Sequence, residues 1–420
     1  MKRLILVVCL IAVVIGASAA SFAETATLRV AWWGSQARHD QTLKVIDLFE
    51  KKYPDIEIKP EYTGWNGYFD KMAAEAAGGN LPDVMQHDIK YITQYVSSGL
   101  LVNLDPLVGK TLNLKDVKPS LLNDGRIDGK LYGINLGANT YVIMYDPEVF
   151  AKAKVKEPKS GWTWDDYMAT CRKIHKAANI YAETSLSFTY RNITGLEHYV
   201  RQHGKKFFDG SKIGFDEKLF VDFYKMDVDL TKEGVVAPPE VRQELHTVEN
   251  DLMVVRKSAM AGYWTNQIVA ITKAAGRPIK MVLLPRVKRQ VKEGTYLKPS
   301  MFFSITRDCK NQAAAAKFID FFTNDVEANK VMMAERGVPV STKVQKALGP
   351  FLEAPQKMMF DMVAYAATHS SAMDPPAPPQ FNQIVDLLTD INMKILYGVV
   401  SLDQGAKEFI EKANAILAAK

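Results

Sequence analysis

The sequence predicts an α/β protein with a parallel sheet, and the strongest indication lies near its start. Residues 28–68 contain a β-type segment, an amphipathic helical run, a second β-type segment and another helical run, in that order. The first helical run is expected to end at Tyr53, because the residue before a proline is pushed out of the α region. Strands and helices that alternate in this way are typical of a sheet covered by helices. With 420 residues, 47% of them hydrophobic, the chain can form two to three domains or two large lobes.

The remaining elements are predicted from turn, capping and periodicity signals along the chain. A helix over Tyr68–Ala77 is expected to end at Gly78-Gly79, since glycine favours the left-handed end of a helix. Thr163 and Asp166 have the spacing of a capping box at a helix start, with Asp in place of Glu or Gln. Strands are expected over residues 81–86, 140–145, 258–264, 280–285 and 299–305. Helices are expected over residues 90–98, 312–323, 326–337 and 402–419, and in a run that ends at Leu396.

The first 23 residues predict a secretory signal peptide. Residues 2–3 are basic, residues 4–15 are an unbroken apolar run, and a small-x-small cleavage site ends at Ala23. The apolar run is shorter than the roughly 20 residues that a spanning helix needs. Cys9 lies inside this run and does not follow a small residue, which favours free export over a lipid anchor. We therefore expect an exported, soluble protein.

Charge and cysteine content restrict the kinds of partner and covalent framework. Loss of the basic pair in the signal peptide lowers the formal net charge from +6 to +4, which is mild for this length. The sequence lacks a basic stripe with interleaved aromatics, the pattern that would indicate nucleic-acid binding. Cys171 and Cys309 remain after cleavage, and two distant cysteines do not form a disulfide scaffold. Two isolated buried thiols are expected, although export leaves their pairing open.

The sequence contains no strong catalytic, cofactor or metal motif. Neither His-Glu-x-x-His nor Gly-x-Ser-x-Gly is present. Gly109-Lys110-Thr111 ends like a phosphate-binding loop but lacks the leading glycine. Asp227 and Asp229 begin like a calcium loop, but Lys232 replaces the required glycine. We therefore expect no cofactor and no metal, while a carboxylate pair for glycoside hydrolysis stays open.

Two stretches carry a resemblance to a known family. Residues 31–68, AWWGSQARHDQTLKVIDLFEKKYPDIEIKPEYTGWNGY, closely resemble the amino-terminal lobe of family 1 extracellular solute-binding proteins. Residues 78–88, GGNLPDVMQHD, are similar to the family's third strand and the turn after it. The family consists of carbohydrate receptors of bacterial ATP-binding-cassette importers, and the chain looks most like members that take up pectin fragments and related oligosaccharides. The resemblance covers nearly the whole mature chain, and it is dense over residues 27–86, fair over 298–340 and thin over 177–250.

The resemblance implies a two-lobed periplasmic-binding-protein fold, similar to type II. Each lobe would be a mostly parallel sheet flanked by helices, and the chain would cross between the lobes three times. In such proteins a Gly-Lys-x-Tyr-Gly hairpin, here residues 129–133, precedes the first crossing, near residues 136–139. The implied lobes are residues 24–137 and 302–338 for the amino-terminal lobe, and residues 138–301 and 339–420 for the carboxy-terminal lobe.

Tryptophans at predicted strand ends are the candidate sugar-stacking residues. Sugars have flat C–H faces flanked by hydroxyls, so their sites need aromatic rings and a few polar groups. Trp33 and Trp65 fall just beyond strand ends, where open α/β sheets bind ligands. Trp264, at the end of another strand, is the best single candidate. Core positions are expected for the other tryptophans: Trp32, Trp162 and Trp164.

Three polar side chains are candidates for contact with the ligand. Asp88 follows the third strand and Asn139 lies at the first crossing, so both could bind hydroxyls. Arg38 follows the Gly34-Ser35 break, near a helix N-terminus, where backbone N–H groups favour anions. Its guanidinium could bind a carboxylate at two points, which would suit a uronate-containing sugar. An alternative is a surface arginine that pairs with Asp40 or Glu50.

These features together predict a periplasmic receptor rather than an enzyme. It would be a monomer that captures an oligosaccharide by lobe closure and delivers it to the membrane permease subunits of an importer. Three alternatives stay open: a secreted carbohydrate-active enzyme, a receptor for another solute such as a polyol, amino sugar or glycerol phosphodiester, and a receptor that serves a membrane sensor. The sequence leaves open which sugar binds, its length, and whether it is acidic or neutral.

Overall fold

The computed structural model describes most of the chain beyond the predicted signal peptide. The described residues are 25–34, 36–65, 67–184, 193–245, 250–375 and 377–419. The predicted signal peptide with its cleavage site, and Ser35 of the predicted break, lie outside the described residues. None of the helices in the described part combines the length and hydropathy needed to cross a bilayer.

The described residues form thirteen strands and sixteen α-helices. The strands are β1 (Ala26–Trp33), β2 (Ile56–Thr63), β3 (Val84–His87), β4 (Arg126–Ile127), β5 (Lys130–Leu131), β6 (Ile134–Asn135), β7 (Ala138–Asn139), β8 (Tyr141–Tyr145), β9 (Tyr181–Glu183), β10 (Ser258–Trp264), β11 (Lys280–Leu283), β12 (Lys298–Pro299) and β13 (Phe302–Ile305). The helices are α1 (Gln36–Lys52), α2 (Tyr68–Ala77), α3 (Ile89–Ser97), α4 (Pro119–Asn123), α5 (Pro147–Ala153), α6 (Trp164–Ala178), α7 (Thr194–Gln202), α8 (Glu217–Lys232), α9 (Pro239–Gln243), α10 (Ile268–Ala275), α11 (Gln312–Asn324), α12 (Val326–Met332), α13 (Thr342–Leu348), α14 (Ala354–Thr368), α15 (Phe381–Leu396) and α16 (Leu402–Ala418). Short 3-10 turns occur at Asp105–Leu107, Thr265–Gln267 and Gly349–Phe351.

The first sheet has the strand order β2-β1-β3-β13-β6. β1 pairs in parallel with β2 along its whole length, from Ala26 opposite Ile56 to Trp33 opposite Thr63. β1 also pairs in parallel with β3, whereas β13 is antiparallel to its neighbours β3 and β6. The predicted start of the fold, strand, helix, strand and helix, is therefore confirmed as β1, α1, β2 and α2.

The second sheet has the strand order β11-β8-β10-β9. β8 is antiparallel to β10 and β11, while β9 is parallel to β10. Each sheet thus contains one reversed strand, β13 in the first and β8 in the second, and its other strands share one direction. The reversal has a simple cause, because β13 and β8 enter their sheets from segments that link the two sheets, at the end where the other strands finish.

Three linking segments lie side by side between the two sheets. β7 pairs antiparallel with β12, so that Asn139 is opposite Lys298 and Ala138 is opposite Pro299. Val338 joins on the other side of Ala138 through two backbone hydrogen bonds, with N···O distances of 2.8 and 3.1 Å. The linkers therefore form a small ladder of their own.

Helix boundaries depart from the prediction mainly after α11. α12 ends at Met332, because Met333 and Ala334 adopt left-handed φ values of 43° and 59°, and not at Gly337 as predicted. α13 and α14 were not predicted, and neither were the short helices α4, α5 and α10. α13 packs against α12, whereas α14 packs against α10 and β11.

Several predicted structural roles are confirmed. The capping box is present, since the Thr163 hydroxyl accepts from the backbone N–H of Asp166 at 3.2 Å and the Asp166 carboxylate accepts from that of Thr163 at 2.9 Å. Cys171 and Cys309 are buried, unpaired thiols. The three tryptophans assigned to the core are all buried: Trp32, Trp162 and Trp164.

Asp227, which begins the weak calcium-loop pattern, instead belongs to a buried ion pair. Nη1 and Nη2 of Arg242 each lie 2.9 Å from one of its two carboxylate oxygens. The side chains of Arg242 and Asp227 are 5% and 0% exposed. The pair fixes α9 to α8 in the core around the second sheet.

Candidate binding cleft

A cleft of about 1350 Å³ lies between the two sheets. The carboxyl ends of strands open onto it: Trp33 ends β1, Asp88 follows β3, and Trp264 ends β10. The linking segments add Asn139 and Lys298. The volume exceeds the roughly 300–1,000 Å³ that is typical for drug-sized ligands, so the cleft can hold a ligand of several rings.

Aromatic rings cover the wall of the cleft that belongs to the first sheet. Trp33 is 6% exposed and forms the floor, and Trp65 is 42% exposed at the rim. Their ring centres are 5.1 Å apart at an interplanar angle of 76°. Tyr91 extends the same surface, stacked on Phe69 at 3.8 Å. The T-shaped Trp33–Trp65 contact fixes two ring faces at different angles, which suits successive units of a bent ligand.

A second aromatic group lies where β10 meets the linking segments. The ring of Trp264 contacts Tyr141 edge to face, with centres 5.3 Å apart, and lies 6.4 Å from Tyr296. Its backbone N–H donates to the side chain of Gln267 at 3.0 Å. These neighbours hold the indole in place, so Trp264 presents a preorganised ring to the cleft.

Asp88 and Asn139 both line the cleft, and each also has a structural role. Asp88 caps α3 by accepting the backbone N–H of Lys90 at 3.0 Å. The amide oxygen of Asn139 accepts the Thr265 hydroxyl at 3.2 Å, next to the linking ladder. Five of the six predicted residues are therefore brought to one cleft, and the sixth, Arg38, is not.

Arg38 lies behind the cleft, where it supports Trp33. Its Nε atom is 2.7 Å from Oε2 of Glu335, and its Nη1 atom donates to the Trp33 carbonyl at 3.2 Å. Gln86, which is fixed by Arg336, donates to the same carbonyl at 3.2 Å. The prediction that Arg38 contacts ligand is not supported by this geometry, and its partner is neither of the acids considered from the sequence. Because the guanidinium is satisfied by a residue 297 positions away, local sequence could not reveal it.

Sequence reasoning missed several residues of the cleft that carry charge or an aromatic ring. They include Lys90, Glu197, Tyr296, Lys298 and Phe381. Lys298 and Tyr296 lie just before a predicted strand, and their two-residue spacing was the one available signal that they share a face. Glu197 lies within residues 177–250, where the resemblance is thin. Residues 373–375 and 377–378, in a proline-rich segment, also line the cleft.

Among the acids that line the cleft, Glu197 has the largest pKa shift. Burial raises the pKa of its carboxyl to about 7, even though the Tyr296 hydroxyl donates to it at 2.9 Å and Arg201 lies nearby. Arg201 is itself fully buried, 2.5 Å from Asp374, and stacks on the Tyr296 ring at 5.0 Å. The network ties α7 to Tyr296 and to the proline-rich segment, so Glu197 supports the wall of the cleft around Trp264.

The raised pKa of Glu197 predicts a stability that falls as pH rises. An unfolded glutamate has a pKa near 4.3. Between about pH 4.5 and pH 7 the unfolded chain therefore releases a proton that the folded chain keeps, which favours unfolding as pH increases. Glu197→Gln removes this titration and can still accept from Tyr296. The melting temperature of the variant minus that of the parent should therefore be larger at pH 8 than at pH 5. If this difference in melting temperature were the same at pH 5 and pH 8, the raised pKa of Glu197 would be contradicted.

Comparisons with known proteins place the fold and the cleft in context. A family model described as bacterial extracellular solute-binding protein matches residues 44–359. An extracellular solute-binding protein of family 1 from Alicyclobacillus acidocaldarius is 34% identical in sequence, with a TM-score of 0.77, and the match covers 94% of this chain and 99% of that one. A periplasmic oligogalacturonide-binding protein from Yersinia enterocolitica, in complex with saturated digalacturonic acid, is 25% identical, with a TM-score of 0.81 and coverage of 93% and 98%. The galactooligosaccharide-binding protein of Bacillus subtilis is 20% identical over 92% of this chain and 89% of its own length.

Proposed function

Because the chain belongs to the family of bacterial extracellular solute-binding proteins, we propose that it captures an oligosaccharide outside the cytoplasm and delivers it to an ATP-binding-cassette importer. The observation that carries this proposal is the cleft between the sheets, with aromatic rings on both of its sides. Trp33 and Trp65 face it from the first sheet, and Trp264 from the second. Rings of this kind stack on the C–H faces of sugars, and the adjacent polar groups can bind hydroxyls.

The mechanism we propose is closure of two lobes about the linking ladder. The lobes are residues 24–137 and 302–338, and residues 138–301 and 339–420. The last boundary fits better between α13 and α14, since α13 packs against α12 while α14 packs against the second sheet. Hinge closure around a ligand is established for binding proteins of this kind. Closure would hide the sugar from water and present a single closed face to the permease.

The proposal includes export after cleavage near Ala23, a periplasmic location and a monomeric state. Membrane permease subunits would be the protein partners. Two relatives are named for oligosaccharide ligands, one of them acidic, which supports a sugar as the solute.

A secreted carbohydrate-active enzyme is the second candidate, and Glu197 is the observation that favours it. A buried cleft carboxyl with a pKa of about 7 could act as a general acid. Glycoside hydrolysis also needs a second carboxylate within roughly 5–10 Å of the first. Asp374 is held between Arg201 and Lys292, Asp88 caps α3, and Asp386 also has an interaction partner. A binding role without turnover therefore fits the cleft better.

The test is a thermal-shift screen of the chain without residues 1–23 against neutral and uronate oligosaccharides, with analysis of the sugar afterwards. A ligand that binds only the folded state increases the free energy of unfolding by mass action, by about 2.7 kcal/mol at a concentration of 100 times its Kd. The melting temperature rises as a result. We expect a rise with at least one oligosaccharide, recovered intact. Recovery of cleaved sugar would show that the chain is an enzyme and not a receptor. Absence of a shift across the panel would point to another class of solute.

A further inference from the structure

Lys90 presents an ammonium group to the cleft without an ion-pair partner among the described residues. It lies in the first turn of α3, two residues after Asp88. Its Nζ atom is 5.0 Å from the ring centre of Phe381, which begins α15 on the side of the second sheet. No carboxylate in the described ranges forms an ion pair with the Lys90 ammonium group, and Asp88 acts on it only through a longer-range charge interaction.

Lys298 brings a second ammonium group to the same part of the cleft. Its Nζ atom lies 5.4 Å from the ring centre of Trp264 and 3.5 Å from Oδ2 of Asp88. Asp88 also accepts the backbone N–H of Lys90, so its carboxylate is shared between the helix cap and Lys298. Two ammonium groups with one carboxylate leave an excess positive charge beside the best stacking ring.

The surroundings of Lys90 disfavour its charged form. Lys90 is an exposed residue, but desolvation of its ammonium group by the surrounding protein lowers its pKa. Asp88 opposes that shift, and the positive charge of Lys298 adds to it. A desolvated charge is stabilised when a partner of opposite sign arrives. An anionic group on the ligand would be such a partner.

The other charged side chains of the cleft already have partners within the protein, so they do not neutralise Lys90. Asp374 lies 2.5 Å from Arg201 and 3.4 Å from Lys292. Glu197 accepts from the Tyr296 hydroxyl. Two further charged groups line the cleft, and each has an interaction partner: Lys206 and Asp386.

We propose that Lys90 and Lys298 form an anion-recognition subsite and that the ligand is a carbohydrate with a carboxylate or phosphate group. This proposal rests on the proposed function, because it requires a sugar ring stacked on Trp264. That ring brings its substituents next to Lys298, and Lys90 approaches them from α3. The pair takes over the role considered for Arg38. Lysine is a compact point charge with rotatable donors, so it imposes no bidentate geometry and can bind a planar carboxylate or a tetrahedral phosphate.

The test is isothermal titration calorimetry at low salt with three probes: digalacturonate, neutral galactobiose and galactose 6-phosphate. The proteins are the parent, Lys90→Gln, Lys298→Gln and the control Lys110→Gln, which makes the same charge change at an exposed site outside the cleft. Loss of a hydrogen bond to a charged group corresponds to roughly a 10- to 100-fold loss of affinity. We therefore expect an acidic probe to bind at least about tenfold more tightly than galactobiose to the parent. Each cleft variant should lose at least about tenfold for that acidic probe only.

The outcomes separate the subsite from the proposed function. Preference for digalacturonate or for the sugar phosphate supports the subsite and identifies which acidic group it takes. Equal affinity of the parent for galactobiose and the acidic probes overturns the subsite and leaves the proposed function intact. The subsite is also overturned if Lys90→Gln behaves like Lys110→Gln with the acidic probes. Failure of all three carbohydrates to bind overturns the subsite, while the proposed function is then decided separately by the thermal-shift screen over the wider panel.

Discussion

Replacing Trp264 with alanine is expected to weaken carbohydrate binding at least about 30-fold, while the protein stays folded. Removing an aromatic residue from the centre of a binding site typically costs about 2 kcal/mol or more of binding free energy. Trp264 is held edge to face against Tyr141, so a ligand would bind it with little loss of ring freedom. The measurement is the Kd, by calorimetry, for whichever oligosaccharide gives the strongest thermal shift.

Two further variants make this result specific. Trp264→Phe keeps a ring and should retain most of the affinity. Tyr397→Ala removes an aromatic that is 54% exposed outside the cleft, and it should leave the Kd unchanged. If Trp264→Ala bound as tightly as the parent, the stacking role of this residue would have to be abandoned.

Asp227→Ala is expected to lower the free energy of unfolding by about 3–5 kcal/mol, the usual effect of removing one partner of a buried ion pair. The alanine leaves the guanidinium of Arg242 buried, with both of its Asp227 contacts gone. Urea unfolding of parent and variant measures the difference. A loss below about 1 kcal/mol would mean that Arg242 finds another partner or water.

The neighbouring Asp229 supplies the matched control. It pairs with Lys225 on the exposed face of α8, with side-chain exposures of 34% and 63%. Exposed pairs of this kind contribute about 0.2–1 kcal/mol, so Asp229→Ala should have a small effect. The double variant Asp227→Leu/Arg242→Met should be more stable than Asp227→Ala, because it leaves no buried charge without a partner.

Local patterns were sufficient to predict the framework of the cleft. The β1–α1–β2–α2 start follows from periodicity and from the Tyr53-Pro54 stop, and Ser258–Trp264 matches its predicted strand throughout. Strand ends then indicate where a ligand can bind, since strands that share one direction finish at the same edge of a sheet. Trp33 and Trp264 were found in this way, and both line the cleft.

Contacts between distant parts of the chain could not be predicted from local patterns. The Arg38–Glu335 pair and the Lys90–Phe381 contact each join residues hundreds of positions apart, so no local period encodes them. The pKa of Glu197 depends on how deeply the folded chain buries it, which composition does not reveal. The reversed strands follow from how the chain enters each sheet, and that is a property of topology rather than of strand sequence.

The ladder of linking segments has a consequence for the kind of motion the molecule can make. Because β7 is bonded to β12 on one side and to Val338 on the other, the three connections cannot bend independently. Gly337 reinforces this coupling, since its φ of 102° brings it so near Ala138 that an added Cβ would meet the Ala138 carbonyl oxygen at 3.0 Å. We expect the backbone rotations of the three segments to combine into rotation about one common axis. We therefore expect the proposed closure to be a rotation rather than a sliding motion, so that one distance between two labels across the cleft is enough to follow it.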